Sequence, residues 1–288
     1  MKEVVGIIVA LAAEGQALAG RQGWKKEGPY TVKRNRLADG SEIITCVAGM
    51  GMGQAAGAAR WLVAEGAGAL ISAGIGGGLS PRARPGDVII GQRLMEDRGG
   101  DGVGEGGGVI HANALLAEIV LKALEDQNIP ARRDTIVTVH EAVLTGHGKA
   151  RLHERTGAAA VDMESYAVAR AAVEAGLPFV VMRAVCDPAT RTISPHLANT
   201  LDPEGRPRPL ALLGRVLRRP GLVTQLLRLR GELNSALGSL AAAWKAQVER
   251  EIPGLITHAG RGRTEEVKGP AAAAGRPGGR GRPGPTRP

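Results

Sequence analysis

Aromatic residues are nearly absent, with one Phe, two Tyr and three Trp among 288 residues. Any core must therefore be aliphatic, and a hydrophobic content of 43% is enough to build a sizeable one. Cysteine is equally scarce. Cys46 and Cys186 show no C-x-x-C spacing, which excludes a disulfide-stapled secreted scaffold and fits two small buried hydrophobes in a reduced, cytoplasmic setting. Long apolar runs are missing too. The opening V-V-G-I-I-V-A-L-A-A is flanked by Glu3 and Glu14 and is too short to span a bilayer, so it reads as a buried first strand rather than a signal peptide or a membrane helix. No internal repeat is present.

A net charge of +9 would suggest nucleic acid if it were spread over the folded body. It is not. Residues 204–230 carry seven Arg against one Glu, and residues 251–288 carry seven Lys or Arg against three Glu, so the remainder of the chain is close to neutral. From Gly260 onward Gly, Pro, Arg and Ala dominate. Ordering such a tail costs about 1–2 kcal/mol per residue with almost nothing apolar to bury, so disorder is expected over 253–288. With no aromatic interleaved for base stacking, no specific nucleic-acid partner is expected.

Up to about residue 190, strands alternate with helices, the pattern of one α/β domain. Strands are expected at Val4–Ala10, Tyr30–Leu37, Glu42–Val47, Ala69–Ser72, Val88–Gly91, Thr135–Val139, Ala158–Val161 and Phe179–Val185. Helices are expected at Ala12–Leu18, Gln54–Ala64, Ala114–Leu124, Lys149–Arg155 and Met163–Ala175. Beyond residue 200 the character changes, and a basic amphipathic extension is expected over 201–252. Leu226, Leu229, Leu233, Leu237, Leu240, Trp244 and Val248 recur every three or four residues there. Such a stripe packs on the body or on a partner subunit. The arginine-rich stretch 210–230 also suits peripheral contact with an anionic membrane.

The candidate functional residues sit at element ends, where α/β folds bind ligands. Glu14 falls at the first strand-to-helix turn. Gly49, Gly51 and Gly53 lie between a strand and a helix, where backbone N–H groups and a helix N-terminus can receive an anion. Gly74–Gly78 follow another strand and allow close approach of a ligand or a neighbouring backbone. Asp162 and Glu164 open a helix, and Asp187 ends the last strand. The bland alternatives are tight packing for the glycines, helix-dipole stabilisation for the acid pair, and turn capping with Pro188 for Asp187.

Gly6-Ile7-Ile8 with Glu14, Ala48-Gly49-Met50-Gly51, Gly74-Ile75-Gly76-Gly77-Gly78-Leu79 with Pro85-Gly86-Asp87-Val88, Asp162-Met163-Glu164 and Pro178 to Asp187 occur in that order. Together they resemble the purine nucleoside phosphorylase and methylthioadenosine/S-adenosylhomocysteine nucleosidase superfamily over roughly residues 3–190. Ala160 to Ser165, with Leu201 to Arg208 and Leu217 to Gly221, is similar to the hopanoid-associated phosphorylases, which are taken to release adenine from adenosylhopane.

The resemblance implies a mixed, largely parallel sheet flanked by helices over residues 1–200, a homo-oligomer, a small-molecule adenosyl substrate and no metal or organic cofactor. Phosphate is the co-substrate if the reaction is phosphorolysis. It also implies that Asp187 protonates the leaving adenine, that Glu164 accepts from the ribose 2′ and 3′ hydroxyls, and that Met163 packs on the sugar. Glu14 matches the acid that activates water in the nucleosidases. Gly77, Val143 and Ala189 complete the substrate-binding set, with Gly49, Gly51 and Arg84 for phosphate. Because an aspartate ordinarily ionises near about 3.9, apolar burial is expected to hold the proton on the acid. Two positions depart from the nucleosidase pattern. Ile75 replaces the Ser that orients the acid, and Thr138–Ala142 lacks the aromatic ring that faces the purine. Glu14 favours water as acceptor, since a carboxylate repels phosphate, and the glycine turn at Gly49–Gly53 favours phosphate. The resemblance of the C-terminal extension tips the expectation to phosphorolysis of adenosylhopane, with a hydrolytic methylthioadenosine/S-adenosylhomocysteine nucleosidase and a non-catalytic nucleoside-binding protein as the alternatives.

Overall fold

The computed structural model describes residues 3–99, 108–193, 222–245 and 266–267. The chain runs β1 (Val4–Val9), α1 (Ala12–Ala19), β2 (Lys25–Glu27), β3 (Tyr30–Arg36), β4 (Glu42–Val47), α2 (Met52–Ala64) and β5 (Ala69–Gly78). It continues through β6 (Val88–Asp97), β7 (Val109–His111), α3 (Ala114–Glu125), β8 (Ala131–Val139), α4 (Gly146–Thr156) and β9 (Ala160–Asp162). The described chain closes with α5 (Ser165–Glu174), β10 (Phe179–Asp187), α6 (Leu222–Ala243) and the two-residue β11 (Glu266–Val267).

All eleven described strands belong to one mixed sheet. β1 lies between β4 and β5, parallel to both, and the longest ladders, β5 with β10 and β6 with β8, are parallel as well. Beyond β5 the sheet curls back on itself. β5 pairs with β9, β9 with β8, β8 with β6, β6 with β10, and β10 with β5. This closed ring of five strands leaves none of its members with a free edge.

Side chains alternating along each strand feed two cores. Ile8, Ile44 and Leu70 face α2 and α5, together with Phe179 and Tyr166. Val5, Ile7, Ile71, Val180 and Met182 face the other way, against Leu116, Val120 and Leu124 of α3 and Leu240 and Trp244 at the end of α6. The stripe on α6 therefore packs on the α/β body, with Ala236, Leu240, Ala243 and Trp244 fully buried. Most of 210–230, the stretch read as a membrane contact, lies outside the described residues. Among those described, no helix is long and apolar enough to cross a membrane.

The main departure from expectation is β5. It does not stop at Ser72 but continues through five consecutive positions, Gly74 to Gly78, that include four glycines. Strand propensity argues against this, yet β10 pairs with these residues on one side and β9 on the other, so tertiary pairing overrides it. β6 also runs on to Asp97. β2 and β7, each three residues long, carried no readable alternation, and β11 falls within the tail expected to be disordered.

Gly91 stands where β6 shifts register against β8. A Cβ there would lie 3.1 Å from Ile136 and from Val181, and 3.2 Å from Leu94. Gly91→Ala is expected to destabilise by about 1–3 kcal/mol through overpacking. The measurement is the midpoint of denaturant unfolding, and an unchanged midpoint would mean that the ring accommodates the methyl.

Candidate active site

Glu14 sits in the first turn of α1, and its carboxylate ties three segments together. Oε2 accepts from the amides of Ala10 (2.9 Å) and Leu11 (2.8 Å), and Oε1 accepts from Ile75 (2.9 Å) on β5. At 2% exposure it is a buried acid. Burial raises its pKa above the usual carboxylate range, although the three amides and the nearby Arg183 charge pull the other way. Gly74 is small for this reason, since a Cβ there would meet Glu14 Oε1 at 2.8 Å.

β9 enters the same region antiparallel to β5 and delivers the acidic pair. Asp162 is fully engaged. It accepts from Thr138 Oγ1 at 2.6 Å, from the amide and hydroxyl of Ser165, and from Arg183 Nε at 2.7 Å. Arg183 in turn donates to Ser72 Oγ at 2.7 Å. Asp162 is thus a structural anchor. Two residues later, Glu164 Oε1 accepts from the Gly51 amide at 2.8 Å. Gly51 adopts φ +96°, where a side chain would be strained. Burial, and then the negative charge of Asp162, push the Glu164 carboxyl up to about 7.

Asp187 ends β10 opposite Gly77. Its surroundings are not the apolar ones expected. Oδ2 forms an ion pair with Lys149, a residue of α4 that is 1% exposed, and Oδ1 accepts from the Cys186 thiol at 3.1 Å. Lys149 also donates to the Pro188 carbonyl at 3.1 Å. Burial, followed by the Asp187 charge, raises the Cys186 pKa, so this group is a thiol. Lys149 and Cys186 thus orient the acid in a chain with Ile75 at the position of the nucleosidase serine. Lys149 was not singled out in the sequence. Its signal was a lysine three residues before Leu152 on the single buried face of α4.

The remaining expected positions gather unevenly. Gly77 abuts the pair directly, because a Cβ on it would lie 3.4 Å from Asp187 Oδ1 and 3.6 Å from Lys149 Cε. Met163 and Val143 both pack on the cluster containing Val161. The segment carrying Ala189 touches the one carrying Val143, since Ile193 N donates to Leu144 O at 2.7 Å and Gly146 N to Thr192 Oγ1 at 3.1 Å. That segment is tied in turn to α6 by an ion pair between Arg191 and Glu232. Gly49 follows β4, with its amide donating to Ala10 O. Arg84 is exposed on the turn before β6, where its amide donates to Asp87. The cation sharing a cleft of about 500 Å³ with Gly49 is Arg21. Tyr166 and Phe179 are both core residues.

Three buried carboxylates therefore lie beyond or at the ends of β1, β9 and β10. One is anchored by amides, one bridges to a glycine turn, and one is paired with a buried ammonium. Such a set can accept hydroxyl hydrogen bonds, stabilise a cationic sugar and protonate a leaving group.

The family model described as the phosphorylase superfamily matches residues 4–209. A futalosine hydrolase of Streptomyces coelicolor is 32% identical over 170 residues, covering 54% of this chain and 70% of that protein. Among solved structures, the futalosine hydrolase of Helicobacter pylori has a TM-score of 0.66 at 18% identity, over 86% of this chain and 97% of its own. The Helicobacter pylori 5′-methylthioadenosine/S-adenosylhomocysteine nucleosidase has a TM-score of 0.67 at 17% identity, over 86% and 99%. At such identities these two likenesses speak for the fold. With the family model spanning well over half of its length, the chain belongs to the phosphorylase superfamily.

Proposed function

We propose that the protein cleaves the N-glycosidic bond of an adenosyl compound and releases adenine. The observation that carries this reading is the convergence of Glu14, Glu164 and Asp187, all buried, on one set of strand ends. As the bond breaks, positive charge grows on the ribose and negative charge on the base. Glu164 faces the first with a carboxylate that also accepts from the ribose hydroxyls. Asp187 answers the second by delivering a proton to the purine. Met163 covers the sugar.

For the acceptor, the geometry favours water. Glu14 is a carboxylate held above its usual range, which suits a base that takes a proton from water. The Gly51 amide, one of the groups that could have held phosphate, is already given to Glu164. The names of the relatives, a futalosine hydrolase and a nucleosidase, agree with hydrolysis. Phosphorolysis of adenosylhopane is the second reading. Its support is the similarity of Leu201 to Arg208 and Leu217 to Gly221 to the hopanoid-associated phosphorylases. Either way the reading needs no metal or organic cofactor, and a cytoplasmic homo-oligomer fits it.

The test is base release from methylthioadenosine, futalosine and an adenosyl hopanoid, each with and without phosphate. Release that does not depend on phosphate is expected. Strict dependence, with a ribosyl phosphate product, would establish the second reading, and no turnover of any of the three would overturn both.

A further inference from the structure

The Lys149–Asp187 pair has almost no access to solvent from either member, at 1% and 4% exposure. Few groups compete for it. β5 presents Gly77 and Gly78 to Asp187, and β9 presents Val161 to Gly77. The titratable groups facing the carboxylate are Lys149 from α4 and the Cys186 thiol from β10 itself. The nearby charges of Asp162 and Arg183 are spent on each other. Asp187 accepts from the Lys149 nitrogen and the Cys186 thiol, and the proposed reaction asks it to deliver a proton.

We infer that Lys149 is the proton reservoir for Asp187, so that the acid of this site is a lysine–aspartate relay rather than a lone carboxyl group. The inference rests on the N-glycosidase reading above. In the relay, the Nζ–H bond of Lys149 breaks as an O–H bond forms on Asp187, leaving a neutral amine beside a carboxylic acid. Asp187 then passes its proton to a ring nitrogen of the purine while the C1′–N9 bond breaks and its electron pair stays on the base. Water or phosphate closes on C1′. Lys149 is left as the amine and Asp187 as the carboxylate, and one proton from solvent restores the ammonium before the next turnover. The first transfer discharges the ion pair across one hydrogen bond and leaves both members neutral, and the proton from solvent then offsets the negative charge left on Asp187. A low-dielectric enclosure makes such an exchange less costly than bringing a hydronium ion to an isolated buried acid.

Lys149 acts through Asp187 and is a positioning residue in this scheme, so its test needs more than a loss of activity. The design uses Lys149→Arg and Lys149→Met, measured across pH 5–9 with thermal unfolding recorded beside the kinetics. Arg retains the positive charge and the hydrogen bond but does not release a proton at these pH values. A relay predicts that Lys149→Arg folds, leaves KM within a few-fold and lowers kcat by about 10²-fold or more. It predicts that Lys149→Met, which leaves Asp187 to collect its own proton, loses most at pH 8–9 and least at pH 5, so the alkaline limb of kcat moves to lower pH. Should Lys149→Met fail to fold, the Arg variant decides alone. Near-native kcat with an unchanged pH profile in Lys149→Arg would overturn the relay and reduce Lys149 to a counter-ion. Failure of the wild-type protein to release any base is a separate outcome and overturns the N-glycosidase reading instead.

Discussion

Replacing Asp187 by Asn is expected to slow adenine release by about 10²–10⁴-fold, the range spanned by general-acid catalysis. Asn has the same shape and can still accept from Lys149 and Cys186, but it carries no proton to deliver to a leaving base. The effect therefore falls on kcat, with KM close to its original value. The substitution also leaves Lys149 without its counter-charge, and loss of one member of a buried pair can cost about 3–5 kcal/mol. Thermal unfolding of the variant must accordingly be followed alongside its kinetics, at a temperature where it remains folded. Retention of more than about a tenth of the activity by a folded Asp187→Asn protein would remove Asp187 from the role of acid. An activated substrate, whose leaving group needs no proton, should recover much of the lost rate.

The second large effect has opposite signs in activity and in stability. Glu164→Gln is expected to lower kcat/KM by about 10²-fold or more, because an amide neither stabilises a cationic sugar as a carboxylate does nor accepts two hydroxyl hydrogen bonds. The same change should make the fold more stable. The folded-state pKa of Glu164 is about 7, against an ordinary 4.5, so the folded protein holds this proton more tightly than the unfolded chain. Stability from that source is fully present below about 4.5, declines as pH rises and is gone above about 7. Gln behaves as a permanently protonated stand-in. The variant should match wild type below about pH 4.5 and exceed it by roughly 3 kcal/mol above pH 7, since each tenfold gain in proton affinity on folding corresponds to about 1.4 kcal/mol. Unfolding midpoints at pH 5 and pH 8 measure the difference. Parallel stability curves would show that the fold does not hold a proton on Glu164, and near-normal turnover would remove it from the ribose.

Much of this was legible in the chain. The β-branched run at Val4–Val9 and the apolar run at Phe179–Val185 each announce a strand by local pattern, and the structure has both. The placement of Glu14, Glu164 and Asp187 at element ends was legible from the pattern, and the structure buries all three. What escaped has a common physical cause. β5 runs through Gly74–Gly78 because partners on both sides complete its hydrogen bonds, information that no local window contains. Lys149 is invisible for a similar reason. A lysine is ordinarily solvated, and only the arrival of Asp187, thirty-eight positions later, explains why this one is buried. Arg84, an arginine near glycines in sequence, is exposed at a turn.

The ring of five strands also fixes when the molecule becomes competent during synthesis. β10 is the last of the five to be made, and it fills the space between β5 and β6. Until residues 179–187 have left the ribosome, β5 and β6 each expose an unpaired border, and the nascent chain offers two templates for erroneous pairing with other chains. The insertion that seals both borders is the same event that brings Asp187 to Lys149. An incomplete chain thus lacks both the sealed ring and the Lys149–Asp187 pair, and a finished one gains both in a single step.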